Sequence, residues 1–408
     1  MVKRIVICCD GTGNELNRTM SNVLKFFRIL DKNTEQQVFY TPGVGTVGLD
    51  NPWQRFKQQC RMLLGLGAGY GLDNDVLKAY DFLCQNWHKG DKIYLFGFSR
   101  GAYTVRVLAA LVNTIGIIPP EQRNLAEYGL TAYKKASDDH AAQKPGNDLQ
   151  DAWLFGRIAG GQLARIEFIG VWDTVSSVIV PRRDRLLPGI QTLRFTRTNP
   201  AVKCFRQAIS IDERRRMFRL NRWIDPQSYR PHPFSSRREI AQDILQVWFA
   251  GVHADVGGGY PESESGLSKF PLIWMLVEAK KAGLTYNEEL CEVISHGGEL
   301  HGGHEFYVPP NATGMLHRSL KGLWWLLEYI PKNKRWREWN TSGPTFLGYY
   351  LPLGEPRVIP PDSLIHASVR DRMEKDPDYR PINLKDSYRF TDEVGSDPQC
   401  EESTDAVH

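Results

Sequence analysis

Apolar runs alternate with segments of helical period along most of this chain. Val2 to Cys9 is continuously apolar from Ile5 onward and reads as a strand buried on both faces. Ser21 to Asp31 sets Val23, Phe26, Phe27 and Leu30 at the i, i+3, i+4, i+7 spacing of one helical face, and Gln37 to Thr41 predicts the next strand. A glycine-rich stretch runs from Gly43 to Gly71. Beyond it, Asn74 to Trp87 predicts a helix, Lys92 to Phe98 a strand, and Gly101 to about Ile115 a second helix. Ala164 to Trp172 and Leu245 to Gly251 are further strands, and Ser268 to Ala282 is a further helix. This alternation predicts a doubly wound, mostly parallel α/β fold over residues 1–390.

Two stretches fit that core poorly. Residues 174–240 are too long for a crossover and read as an inserted cap. A second insertion spans about 283–345 and contains Gly322-Leu-Trp-Trp-Leu-Leu-Glu-Tyr329, followed by Lys332-Asn-Lys-Arg-Trp336. That stripe reads either as a helix packed on the core or as a lid that touches a membrane surface. Residues 391–408 hold six acids and no Lys or Arg, which predicts a disordered tail.

Composition places the 408 residues among ordinary globular proteins, at 41% hydrophobic and 24% charged. Neither a secretory signal nor any run near the roughly 18–20 apolar residues of a membrane span is present. Seven scattered cysteines read as free thiols of a reducing compartment, hence cytoplasmic unless a signal-less route exports the chain. The formal charge of +4 is uneven: residues 181–240 carry 15 Lys and Arg against 5 Asp and Glu. Arg182, Arg183, Arg185, Arg194, Arg197, Arg214, Arg215, Arg216, Arg219 and Arg222 either line a solvated or internally paired face or hold an anionic group. Nucleic acid is disfavoured, because the intervening aromatics form no stacking motif.

The sharpest local signal is Gly97-Phe98-Ser99-Arg100-Gly101, preceded by a strand and followed by a helix. A nucleophilic serine needs this setting: a strained strand-to-helix turn exposes its hydroxyl, and the flanking glycines let the backbone pass. A serine hydroxyl is nearly inert at neutral pH, so a general base and an orienting carboxylate must follow. Asp173 ends one apolar strand and His253 ends another, giving the order Ser99, Asp173, His253. Asp255 is the rival acid, but on an extended backbone it points away from His253, which leaves it a supporting role. Oxyanion donors are expected from the Arg100 amide and from Gly11, Thr12 and Gly13 in the loop that Asp10 opens.

Other readings stay open on the residues alone. The Asp10-Gly11-Thr12 turn suits an aspartate-dependent phosphatase, although Thr12 stands where such sites carry a second aspartate. A catalytically silent binding protein could retain the same fold. His296, His301, His304 and Glu305 lie close in sequence, but their glycine-rich setting favours a loop over a metal site, and no cofactor is expected.

Taken in order, several blocks resemble one family. They are Ile7-Cys-Cys-Asp-Gly-Thr-Gly-Asn14 with Ser21-Asn-Val23, Gly97-Phe-Ser-Arg-Gly-Ala-Tyr103, Gly170-Val-Trp-Asp-Thr-Val175, Ala208-Ile-Ser-Ile-Asp-Glu-Arg214, Trp248 to Tyr260, and Ile365-His-Ala-Ser-Val369. Over roughly residues 3–370 the chain is similar to the α/β-hydrolase family that includes the catalytic domain of type VI secretion phospholipase effectors. The resemblance implies a serine hydrolase of carboxylic esters with Ser99, Asp173 and His253 as its triad, in the effectors acting on glycerophospholipids. No stretch reads as an effector-delivery or membrane-anchoring domain, so ester hydrolysis is a firmer expectation than a phospholipid substrate.

Overall fold

The computed structural model describes residues 2–11, 19–43, 68–141, 149–175, 179–180, 189–190, 193–231, 240–300, 302–334, 337, 339, 345–385 and 387–392. Eight strands form its central sheet: β1 Arg4–Cys9, β2 Gln36–Thr41, β3 Lys92–Phe98, β4 Ile166–Trp172, β5 Val202–Ser210, β6 Asp243–Phe249, β7 Ser363–Ile365 and β8 Tyr388–Phe390. Their spatial order is β8-β7-β6-β5-β4-β3-β1-β2, and every pairing is parallel. The chain winds outward from β1 in both directions. The crevice between the carboxyl ends of β1 and β3 is therefore the topological switch point, where open α/β sheets hold their ligands.

Helices cover both faces. On one side α1 (Asn22–Ile29), α7 (Lys269–Lys281) and α8 (Glu288–His296) bury Phe26, Met275 and Ile294 in one cluster with Phe96, Phe168 and Trp172. On the other, α2 (Ala68–Asn86), α3 (Ser99–Ile115), α4 (Ala126–Ala141) and α5 (Gln150–Ile158) pack Tyr80, Val105, Leu108 and Tyr133 over Ile7, Leu95 and Ile169. The predicted helices and strands recur with shifts of a few residues at their ends. α1 starts where its side chains dictate, since Ser21 Oγ accepts from the Leu24 amide at 3.1 Å as an N-cap.

The stretch 174–240 differs from the inserted cap read in the sequence. Its residues 202–210 are β5, a central strand hydrogen-bonded to β4 and β6 along its length. Lys203 and Arg206 interrupt the apolar run there and hide the strand. Arg206 is nonetheless buried, because Asp243 and Glu278 neutralise it at 2.8 and 2.6 Å. The basic run also divides: Arg215 pairs with Glu213, Arg216 donates to the Leu327 carbonyl, and Arg182, Arg183 and Arg185 lie outside the described residues. Of the acidic tail only Thr391 and Asp392 are described.

Candidate active site

β3 ends at Phe98 and α3 begins at once with Ser99, two residues before the position its periodicity predicts. Ser99 sits at φ 56°, a left-handed conformation that costs an L-residue about 1–2 kcal/mol. Two glycines make the turn possible. A Cβ on Gly97 would fall 2.5 Å from the Gly101 carbonyl oxygen, and one on Gly101 would fall 2.1 Å from that of Cys9. The Gly-x-Ser-x-Gly pattern thus reflects backbone crossing backbone. No side chain caps α3, so the donors of its first turn, the Arg100 amide among them, are not spent on a cap.

β4 delivers Asp173, which is fully buried and also left-handed, at φ 37°. Its amide donates to the Ala208 carbonyl at 2.8 Å, which ties the turn to β5. His253 follows β6 as the first residue of a short helix, α6 (His253–Gly257). The two side chains meet: His253 Nδ1 hydrogen-bonds Asp173 Oδ2. The imidazole lies between Phe98, 4.6 Å away between ring centroids, and Phe218, which meets it edge-on at 4.8 Å. Because Phe98 immediately precedes Ser99, the elbow and the imidazole share one corner of the crevice. No hydrogen bond joins Ser99 Oγ to His253 among the described residues.

Several partners of this site carry no sequence signal as strong as the elbow. Arg357, buried and far downstream, donates to both Asp173 oxygens at 2.6 and 3.0 Å. Ser210 adds its amide and its hydroxyl to Asp173 Oδ1, at 3.0 and 3.1 Å. Burial by itself would raise the Asp173 pKa, but Arg357 and the His253 bond override it and hold the carboxylate well below the usual range. Burial pushes His253 below its ordinary value, and nearby Arg215 adds to that against the opposing pull of Asp173. Glu213 accepts the His253 amide at 3.2 Å and the Ser319 hydroxyl at 2.9 Å; burial would raise it, yet its pair with Arg215 brings it down to about 2. Ser210 and Glu213 belong to the 208–214 block noticed in the sequence, where no role was evident for them. Arg357 sits in Gly354-Glu-Pro-Arg357, which no residue pattern distinguishes.

The remaining sequence candidates fall into place differently. Asp255 does not point away along an extended backbone, because residues 253–257 are helical. It caps that helix through the Val252 amide at 3.0 Å and accepts from His317 Nδ1 at 2.6 Å. Asp10 is buried with both oxygens engaged, one by the Gly11 amide at 2.6 Å, the other by Ser21 Oγ at 2.5 Å and Tyr40 at 2.8 Å. The Gly11 amide is therefore turned toward Asp10, while Thr12 and Gly13 lie outside the described residues. No group of three potential metal ligands gathers among the described residues; Glu305 pairs with Arg28, and His301 is not described.

The family described as T6SS, phospholipase effector Tle1-like, catalytic domain matches residues 3–278. The chain belongs to this family. The Tle1-like match runs from β1 into α7 and contains the elbow, Asp173, Glu213 and His253, whereas Arg357 lies beyond it. The chain is also similar to a Saccharomyces cerevisiae (strain ATCC 204508 / S288c) protein named uncharacterized protein YEL023C, 23% identical over an alignment that covers 97% of this chain and 83% of the yeast protein. Two solved structures resemble it distantly. An uncharacterized protein from Pseudomonas aeruginosa is 18% identical with a TM-score of 0.34, over 70% of this chain and 47% of that one. The Tle1 effector bound to the VgrG spike from the type 6 secretion system is 19% identical with a TM-score of 0.32, over 65% and 52%. The chain spans about half the length of both solved chains.

Proposed function

We propose that this chain is a serine hydrolase of lipid carboxylic esters, phospholipase A-like, with Ser99 as nucleophile, His253 as base and Asp173 as the residue that fixes the imidazole tautomer. The observation that carries the reading is the left-handed Ser99 at the switch-point crevice, with Phe98 leading the chain directly against an imidazole already bonded to a buried carboxylate. Membership of the Tle1-like family supports a lipid ester as substrate.

In this mechanism Ser99 Oγ attacks the acyl carbonyl carbon while His253 Nε2 takes its proton, and the Nδ1 bond to Asp173 keeps Nε2 free to do so. The tetrahedral oxyanion is met by the Arg100 amide at the positive end of α3. His253 then returns the proton to the leaving alcohol, and water releases the acyl group by the same steps. Hydrogen bonds of this kind commonly tighten only when substrate arrives, so the open Ser99–His253 contact is compatible with the assignment.

The lipid reading has a second support above the crevice. A short helix, α9 (Trp324–Glu328), turns Trp324 against Phe218, 5.6 Å between ring centroids, the same ring that meets His253 edge-on. Leu326 on this helix and Tyr329 and Ile330 just after it are exposed, and the 346–353 segment exposes Phe346 and Leu347 at 78% and 83%. Large apolar groups beside an active site suit contact with a lipid surface. Among the described residues no helix is long and apolar enough to cross a membrane.

A fluorophosphonate probe tests the chemistry. The wild type is expected to be labelled and Ser99→Ala is not; labelling that survives the substitution refutes the nucleophile. Incubation with phosphatidylcholine vesicles, followed by mass spectrometry, is expected to release fatty acid and lysophospholipid only with Ser99 present.

A further inference from the structure

Two arginine–carboxylate pairs bracket His253. On the Nδ1 side Asp173 is clamped by Arg357, Nη1 to Oδ1 at 2.6 Å and Nη2 to Oδ2 at 3.0 Å. Arg357 is anchored in turn on the Ser210 hydroxyl at 2.6 Å and the Phe218 carbonyl at 2.8 Å. On the backbone side Glu213 accepts the His253 amide and is held by Arg215 at 3.0 and 2.9 Å. Arg215 also lies over the Phe218 ring, 3.5 Å from its centroid, and that ring meets the imidazole edge-on.

Among the described residues the charged groups met by His253, directly or through one partner, are Asp173 after β4, Glu213 and Arg215 after β5, and Arg357 behind Asp173 ahead of β7. Asp255, on the same helix as His253, is turned to His317. The four groups are two negative and two positive charges, so among the described residues their formal sum is zero. A triad aspartate with only an imidazole for partner instead presents an uncompensated negative charge, which favours the protonated ring.

We propose that Arg357 is a positioning residue of the triad: by holding both oxygens of Asp173 it fixes the carboxylate plane for His253 Nδ1 and cancels the field that would keep the imidazole protonated. The inference rests on the Ser99–His253–Asp173 reading. Its consequence is a base that stays neutral, and an enzyme that stays active, in mildly acidic surroundings. Burial of the ring and the nearness of Arg215 act in the same direction. Lysine at position 357 would keep the charge but could not grip two oxygens with one planar fork.

The rate of fluorophosphonate labelling as a function of pH reads the protonation of His253 without requiring the natural substrate. For the wild type the acid limb is expected below the free imidazole value of about 6.5. Arg357→Gln removes the charge that masks Asp173, and its limb is expected to move up by about one to two pH units, as when an imidazole faces an uncompensated neighbouring carboxylate. Arg357→Lys is expected to keep the limb near that of the wild type while lowering the plateau rate. A fallen plateau with an unmoved limb in Arg357→Gln would reduce Arg357 to a structural role and overturn the proposal. Should Arg357→Gln fail to fold, the wild-type limb decides, and a midpoint at or above 6.5 overturns it. Labelling that persists in Ser99→Ala would refute the triad itself, an outcome distinct from either.

Discussion

Gly101 lies so close to Cys9 that a methyl group added to it would sit 2.1 Å from the Cys9 carbonyl oxygen and 2.5 Å from that of Asp10. Both contacts are backbone, so no side chain can rotate away to make room. Gly101→Ala must push α3 off the end of β1. Overpacking of this kind costs about 1–3 kcal/mol or more, and a displacement near 1 Å at the nucleophile lowers its reactivity about a hundredfold. Urea midpoints and Ser99 labelling rates measure the two effects. Gly101→Ala with unchanged stability and labelling would mean that the turn is looser than this packing implies.

Ser99 itself stores strain. An L-residue at φ 56° gives up about 1–2 kcal/mol that glycine does not, against about 0.5–1 kcal/mol for the extra chain entropy that glycine loses on folding. Ser99→Gly should therefore raise stability by as much as about 1.5 kcal/mol while abolishing labelling. Thermal denaturation checks it, with Ser99→Ala as the control that loses the hydroxyl and keeps the strain. A Ser99→Gly protein less stable than Ser99→Ala would contradict the strained elbow.

These two predictions concern the part of the site most legible in the sequence. Strand, tight turn and helix are encoded within about a dozen consecutive residues, so Ser99, Gly97 and Gly101 can be read locally. Asp173 and His253, which the fold brings into hydrogen-bond contact, each end an apolar strand, and that is why both can be picked out as candidates. β5 cannot, since Arg206 breaks its apolar run and the compensating Asp243 and Glu278 lie far along the chain. Arg357 was invisible for the same reason: its partner Asp173 is 184 positions away, and nothing near residue 357 marks it. Asp255 would turn away from His253 on an extended backbone, whereas the chain turns helical at His253 and aims it at His317.

Neighbouring carboxylates after β5 respond to pH in opposite senses. Burial raises Asp212 from 3.8 to about 6, against the Gly251 amide and the Tyr379 hydroxyl, while the Arg215 pair lowers Glu213 from 4.5 to about 2. The folded state prefers Asp212 protonated, so that stabilisation is complete below pH 3.8 and is lost as pH rises through about 6. It prefers Glu213 ionised, so that contribution is present above pH 4.5 and is lost as pH falls toward 2. Each shift is of the order of 3 kcal/mol at full extent. Asp212→Asn can keep both hydrogen bonds, since Gly251 and Tyr379 donate to the same oxygen. It should be more stable than the wild type above pH 6 and equal to it near pH 4. Glu213→Gln should be less stable at neutral pH and lose the acid dependence below pH 4.5. Urea midpoints across pH 3–8 read both variants, and parallel curves for all three proteins would refute the assignment.

The exposed side of α9 and the 346–353 segment make a prediction that separates surface binding from chemistry. Glu328 ties α9 to the end of that segment, accepting the Gly354 amide at 3.2 Å, and to the residues after β5, accepting the Arg216 amide at 2.8 Å. Phe346 and Leu347 have almost no packing to lose, at 78% and 83% exposure, and a Phe346→Ser, Leu347→Ser double variant should fold with wild-type stability. Full burial of two such side chains in a lipid interface is worth about 1.5–3 kcal/mol each. Vesicle sedimentation should accordingly show binding weakened at least about tenfold, since roughly 1.4 kcal/mol is a factor of ten. Hydrolysis of a short-chain soluble ester should not change, because neither residue is a hydrogen-bond or ring partner of His253 or Asp173 among the described residues. If the double variant bound vesicles as the wild type does, the segment would not be the lipid contact; if it lost soluble-ester hydrolysis as well, the segment would be part of the catalytic wall.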